Sequence, residues 1–108
     1  MRTVNATLGF LDYLYEVVLD RIRNPKPNSY TAAIAKQGLS FAVKKVLEEC
    51  GELGIELLIG SRQRVVEEAA DLLYHLIVAL ALKGVDIREV ARELVRRHES
   101  RTCQVRRR

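Results

Sequence analysis

From Phe10 to His98 the apolar residues of this sequence recur three and four positions apart, and no alternating pattern survives more than a few residues. That period calls for helices and leaves no strands to build a sheet. The chain is expected to be all-α, a bundle of about five helices, and its 108 residues fit one domain, 1–108, around one core. Helix one is expected from about Phe10 to Arg23, with Leu11, Leu14, Tyr15, Val18 and Ile22 on one face; "NPKPNS" stops it, because two prolines cannot continue a helix. Ser29 or Asn28 can cap a short second helix over Tyr30 to Lys36, which Gly38 breaks. Ser40 can cap a third helix reaching Ile59, and Gly60-Ser61 forms the next turn, with Ser61 capping a fourth helix over about Arg62 to Lys83. Gly84 ends that helix, and "DIRE" places Asp86 three residues before Glu89, a capping box opening a fifth helix that fades near His98. Residues 1–8 and 101–108 are expected to be frayed ends.

Composition agrees with a folded chain, at 48% apolar and 30% charged residues, rather than the low-hydropathy signature of disorder. The net charge of +4 is carried by the C-terminal end, which finishes in "RTCQVRRR"; short basic ends are ordinarily solvated. Cys50 and Cys103 stand in no CxxC or Cys/His spacing, so free thiols in a reducing compartment are expected. No signal-peptide pattern opens the sequence, and the longest apolar run, Leu76 to Leu82, is far below the roughly 18 residues of a membrane span. A cytoplasmic protein without membrane contact is the expectation.

Within this basic chain the stretch "KKVLEECGELGIELLIG" concentrates Glu48, Glu49, Glu52 and Glu56. At about 100° per residue all four fall on one arc, opposite Val46, Leu47, Cys50, Leu53 and Leu57. Read alone, that is a solvated helix face. Lys44 and Lys45 precede Glu48 and Glu49 by four, the weaker order for a helical ion pair, and leave Glu52 and Glu56 without a cation on their own helix. The fourth helix argues the other way. "AADLLYHLIVALAL" is apolar on every side and suited to complete burial, yet Glu68, Asp71 and His75 line up within about 60° of one another on it. No lysine or arginine lies between Arg64 and Lys83 to answer those carboxylates, and acids beside a core are costly unless paired or metal-bound. If helices three and four pack antiparallel through the short Gly60-Ser61 turn, Glu48, Glu49 and Glu52 face Glu68 and Asp71 across one groove. An all-oxygen donor set favours a hard cation, Mg2+ with Mn2+ as a possible substitute, and hence chemistry on phosphates.

"EECGE" followed by "EAAD" resembles the EExxE and ExxD pair of the MazG-type all-α nucleotide pyrophosphatases. The segments "LYEVVLDRI", "SYTAAIAKQGL", "KKVLEECGE", "EAADLLYHLIVAL" and "ARELVRRH" resemble, in the same order, the phosphoribosyl-ATP pyrophosphohydrolase family, over about Leu11 to His98. The resemblance implies a MazG-like helical fold completed by oligomerisation, as a homodimer or higher homo-oligomer, and Mg2+-dependent hydrolysis of phosphoribosyl-ATP to phosphoribosyl-AMP and pyrophosphate in histidine biosynthesis. Residue by residue it implies Glu48, Glu49, Glu52, Glu68 and Asp71 as metal ligands or supporting carboxylates, with Glu49 or Glu52 as proton acceptor. Lys44 and Lys45 flank the acid row as candidates for the triphosphate. Ser29, Tyr30 and Thr31 match the family's "SYT" and are candidates to meet the substrate. His75 is expected as a hydrogen-bonding partner beside the carboxylates. Cys50 and Gly51 depart from the family's usual small residues without removing a ligand, and Glu56, outside the motif, is expected to be solvated.

Three rivals are distinguishable. A house-cleaning pyrophosphatase for non-standard nucleoside triphosphates would use the same five acids, and only the flanking segments argue against it. A ferritin-like di-iron bundle needs Glu-x-x-His on two helices, and the residues three before His75 and His98 are Leu72 and Val95. A nucleic-acid-binding module would rest on Arg96, Arg97, Arg101 and Arg106 to Arg108, without a recognition helix or aromatic stacking set, so no nucleic-acid partner is expected.

Overall fold

The computed structural model describes residues 6–100, which form five helices in the order α1 Phe10–Arg23, α2 Tyr30–Gln37, α3 Leu39–Ile59, α4 Arg62–Lys83 and α5 Ile87–Glu99. Ala6, Thr7 and Leu8 are exposed; the rest of the expected frayed ends, with Cys103 and the arginine-rich tail, lies outside the described residues. No strand occurs among the described residues.

The helix ends follow the cap chemistry with one exception. Ser29 Oγ accepts from the Ala32 amide at 3.1 Å and Ser61 Oγ from the Arg64 amide at 3.2 Å, satisfying first-turn donors that have no partner inside the helix. At α5 the capping box is complete: the Glu89 side chain accepts from the Asp86 amide at 3.1 Å, and Asp86 Oδ1 from the Arg88 amide at 2.8 Å. Gly84 ends α4 in the left-handed conformation, φ 87°, which side-chain-bearing residues adopt only at a cost. Ser40 is the exception. Gly38, at φ 100°, both ends α2 and opens α3, so the chain re-enters a helix within one residue and Ser40 falls inside the first turn rather than before it.

Tyr15 and Val18 from α1, Ile34 from α2, Ala42 from α3 and Ile77, Val78 and Ala81 from α4 form the core, with Leu11, Leu14 and Ile22 packed against it. Full burial of a Val or Ile side chain stabilises by about 1.5–3 kcal/mol, so Ile77 and Val78 in the C-terminal half of α4 contribute a large part of the core on which α1 packs.

The most extensive helix pairing joins α3 to α4. Its two-residue turn leaves the helices antiparallel, and Gly60 closes the last turn of α3 on itself: a Cβ at that position would lie 2.9 Å from Glu56 Cα in the same helix. Helix α3 departs from the simple amphipathic reading. Its only fully buried residues are Ala42 and Glu49, while Leu47 is 67% and Leu58 85% exposed, along with Ile55, Leu57 and Ile59. Of the acid arc Glu49 turns into the protein, Glu56 is half-buried and Glu48 and Glu52 stay exposed, while much of the apolar arc also faces solvent.

Candidate functional site: a buried carboxylate cluster

Antiparallel pairing of α3 and α4 sets Glu49, ten residues before the end of α3, against Glu68 and Asp71 in the second and third turns of α4. One carboxylate oxygen from each of the three lies within 4.8 Å of the others. Glu49 is 7% and Glu68 5% exposed, and Asp71 is exposed at the edge. Oε1 of Glu49 and Oε1 of Glu68 are buried without any hydrogen-bond partner. Leaving such an oxygen bare costs about 1–3 kcal/mol, more for a charged group, so the arrangement is complete only with something positive in the groove.

The electrostatics agree. Burial pushes the Glu49 carboxyl above its ordinary value, and the neighbouring Glu52, Asp71 and Glu68 raise it further, against the opposing pull of His75. Glu52 is exposed and stands outside the converging trio, but close enough to be the strongest of these charged neighbours. Glu48 is exposed and held by Lys45, Nζ to Oε1 3.3 Å, an interaction that raises the Lys45 pKa. Of the five carboxylates expected here, the structure therefore gathers three, keeps Glu52 beside them and sets Glu48 at the lysine edge.

Tyr30 and His75 make the neighbouring wall. The His75 ring nitrogen Nδ1 lies 2.8 Å from the Asp71 carbonyl, which can only accept, so Nδ1 carries a proton, and Nε2 shares a hydrogen bond of 3.0 Å with the Tyr30 hydroxyl. The ring of Tyr30 stacks on Tyr74 at 6.0 Å between centroids, and Tyr74 in turn hydrogen-bonds the buried Thr31 hydroxyl. Thus Tyr30 and His75 reach the acid groove, whereas Thr31 is an internal strut. Ser29 caps α2 and faces a different place, a cavity of about 590 Å3 lined by Ile22, Pro25, Lys26, Pro27, Lys36 and Leu82 among others. Lys44 is exposed.

Two residues escaped the sequence reading. Arg64 Nη2 donates to Glu68 Oε2 at 2.6 Å, a second Nη donates to Glu67, and its Nε lies 3.8 Å from Glu56 Oε2 across the hairpin. Glu56 is accordingly half-buried beside Arg64 rather than solvated. The i,i+4 spacing of Arg64 and Glu68 was the available signal. Tyr74 is the other, visible only once α2 and α4 are packed.

The residues present fit a divalent metal: an all-oxygen donor set, two buried bare oxygens and an opening to solvent at Asp71 suit a hard cation that keeps water among its ligands. No described helix is long and apolar enough to cross a membrane.

The sequence profile of the phosphoribosyl-ATP pyrophosphohydrolase family matches residues 11–98. A phosphoribosyl-ATP pyrophosphatase of Sulfolobus acidocaldarius is 45% identical over 87 residues, covering 81% of this chain and 92% of the relative. One of Ignicoccus hospitalis is 47% identical over 93 residues, 86% of this chain and 91% of the relative, and one of Sulfurisphaera tokodaii is 44% identical over 87 residues, 81% and 93%. A buried acid groove on an all-helical hairpin and similarity running through every helix lead to one conclusion: this chain belongs to the phosphoribosyl-ATP pyrophosphohydrolase family.

Proposed function

We propose that this chain hydrolyses phosphoribosyl-ATP to phosphoribosyl-AMP and pyrophosphate in histidine biosynthesis, in a Mg2+-dependent reaction carried out in the cytoplasm. Its family makes it a hydrolase of a phosphoanhydride bond. The observation that carries the finer reading is the convergence of Glu49, Glu68 and Asp71 with two buried oxygens left bare.

Glu49, Glu68 and Asp71 would hold Mg2+, with Glu48 as an outer carboxylate. When bound, the ion neutralises phosphate oxygens and lowers the pKa of a coordinated water. The chain's own residues do the rest. Glu52, exposed beside the trio, would accept the proton of the attacking water. The water oxygen bonds to a phosphorus flanking the α–β bridge, the bridging P–O bond breaks, and pyrophosphate leaves. Lys45, and Lys44 on the same helix turn, supply positive charge for the triphosphate. Tyr30, oriented by His75, offers a half-exposed ring to the nucleotide, while Ser29 and Thr31 support it by capping and bracing α2.

The exposed apolar residues of α3, with Val66 and Leu73 on α4, support a homo-oligomer, most simply a two-fold dimer in which a second copy covers this hairpin. Incubation with phosphoribosyl-ATP and Mg2+ tests the chemistry: pyrophosphate is the expected first product, EDTA stops its release, and canonical nucleoside triphosphates are poorer substrates. Orthophosphate as the first product would overturn the assignment.

A further inference from the structure

We infer that Arg64 is a positioning residue for the carboxylate groove: its guanidinium takes one oxygen of Glu68, ties α4 to α3 through Glu56, and thereby presents the other oxygen of Glu68 to Glu49 and Asp71. The inference rests on the metal-binding reading of that groove. Three observations carry it. The two oxygens of Glu68 are divided, Oε2 at 2.6 Å from Arg64 Nη2 and Oε1 buried with no partner. The same guanidinium reaches Glu67 through its other Nη and approaches Glu56 on the opposite helix at 3.8 Å. Glu56 itself folds back over the last turn of α3, its side chain occupying the space that a Cβ at Gly60 would take.

The opposite role, a counter-ion standing in the metal's place, fits less well. A cation filling that place would lie against the bare oxygens, yet Glu49 Oε1 and Glu68 Oε1 are both left without a partner while Arg64 lies on the far oxygen. The planar fork also matters. One ammonium carries the same charge but cannot hold three carboxylates in fixed directions.

The test is a titration of the full chain with Mn2+ in the absence of nucleotide, read by the loss of the free-ion electron paramagnetic resonance signal, with helix content followed by circular dichroism. Residues that orient metal ligands typically contribute about 10- to 100-fold in metal affinity. Arg64→Gln is therefore expected to weaken Mn2+ binding by about tenfold or more, Arg64→Lys to fall between it and the wild type, and Glu67→Gln, which touches Arg64 but not the groove, to stay within about twofold. Tighter binding by Arg64→Gln, or a loss of less than about threefold, overturns the inference. Should Arg64→Gln lose its helix content, Arg64→Lys decides, and affinity equal to the wild type overturns the clamp. A wild type that takes up no Mn2+, indistinguishable from Glu49→Gln, removes the metal reading as a whole; binding by the wild type with an unaffected Arg64→Gln removes only the role of Arg64.

Discussion

Glu93 on α5 and Glu49 on α3 are the same side chain under opposite electrostatics. Arg96 and Arg97, three and four residues on, hold the Glu93 carboxyl down to about 2, at 2.6 and 2.9 Å. Close by, Arg88 lowers Asp86, bonds Glu16 on α1 and lies over the Tyr15 ring, so each of these acids has an arginine and the seam between α5 and α1 is held from the surface. Glu49 is pushed the other way, by burial and by Glu52, Asp71 and Glu68. Where acids serve the fold, each meets a guanidinium, Arg96 and Arg97 for Glu93 and Arg88 for Asp86 and Glu16; the groove has one, Arg64, and two oxygens left bare. An uncompensated buried acid cluster is a poor way to hold helices together and a ready way to hold a cation, which is why strongly perturbed carboxyls mark functional sites.

The largest expected break in that comparison is in turnover. Glu52→Gln removes the proposed proton acceptor and should lower pyrophosphate release by about 10²- to 10⁴-fold, the range of a positioned base. Asp71→Asn should abolish activity and the Mg2+-induced rise in melting temperature together, since ligand stabilisation scales with occupancy of the folded state. In EDTA the same variant should be as stable as the wild type, or more stable by about 0.5–2 kcal/mol, because a like-charge contact is relieved. Urea melts with and without Mg2+ measure both. A clear loss of metal-free stability in Asp71→Asn would mean that the groove is a structural network like the one on α5.

Next in size is assembly. Leu58, 85% exposed near the end of α3, has no reason to be leucine in an isolated chain. Leu58→Glu should shift light scattering at micromolar concentration from oligomer to monomer. If the wild type is already a monomer and active, the exposed apolar residues of α3 need another explanation.

Much of this molecule was legible beforehand. The spans of α1 and α4 and the cap roles of Ser29, Ser61, Gly84 and Asp86 follow from local chemistry, because a cap satisfies its own helix. So does the pairing of acids across the hairpin, because a two-residue turn leaves only the antiparallel arrangement. What periodicity alone left open was the facing of α3. Periodicity shows that a helix has an acid arc and an apolar arc; which arc turns inward depends on what else must be buried, and here Glu49 goes in while Leu47 and Leu58 stay out. The role of Arg64 was hidden for a related reason. One partner, Glu68, lies at i+4, but the other, Glu56, belongs to a different helix and meets it only once the hairpin has closed.

Glu56→Gln probes the boundary between the two regions. Its carboxylate meets Arg64 at 3.8 Å but stands outside the trio, so its loss should lower activity by less than about tenfold and shift melting by at most a few degrees. A collapse comparable to Asp71→Asn would place Glu56 among the ligands. No effect at all would show that the approach of Arg64 to Glu56 contributes nothing to the groove.

The smallest effect belongs to Glu93. Its folded pKa of about 2 lies below the ordinary value of 4.5, so it contributes stability that is fully present above about pH 4.5 and lost as the pH falls through 2. Glu93→Gln should therefore melt slightly below the wild type at neutral pH, and the gap should close between pH 4.5 and 2, where the wild-type carboxylate takes up its proton. Because the pair is fully exposed, the gap is expected to be on the order of a degree and to vanish in 1 M salt, where screening acts within about 3 Å. Turnover should not change. A gap that survives high salt, or that widens toward pH 2, would show that Glu93 is held by something other than its two arginines, and the contrast with Glu49 would then rest on burial alone rather than on how each acid is answered.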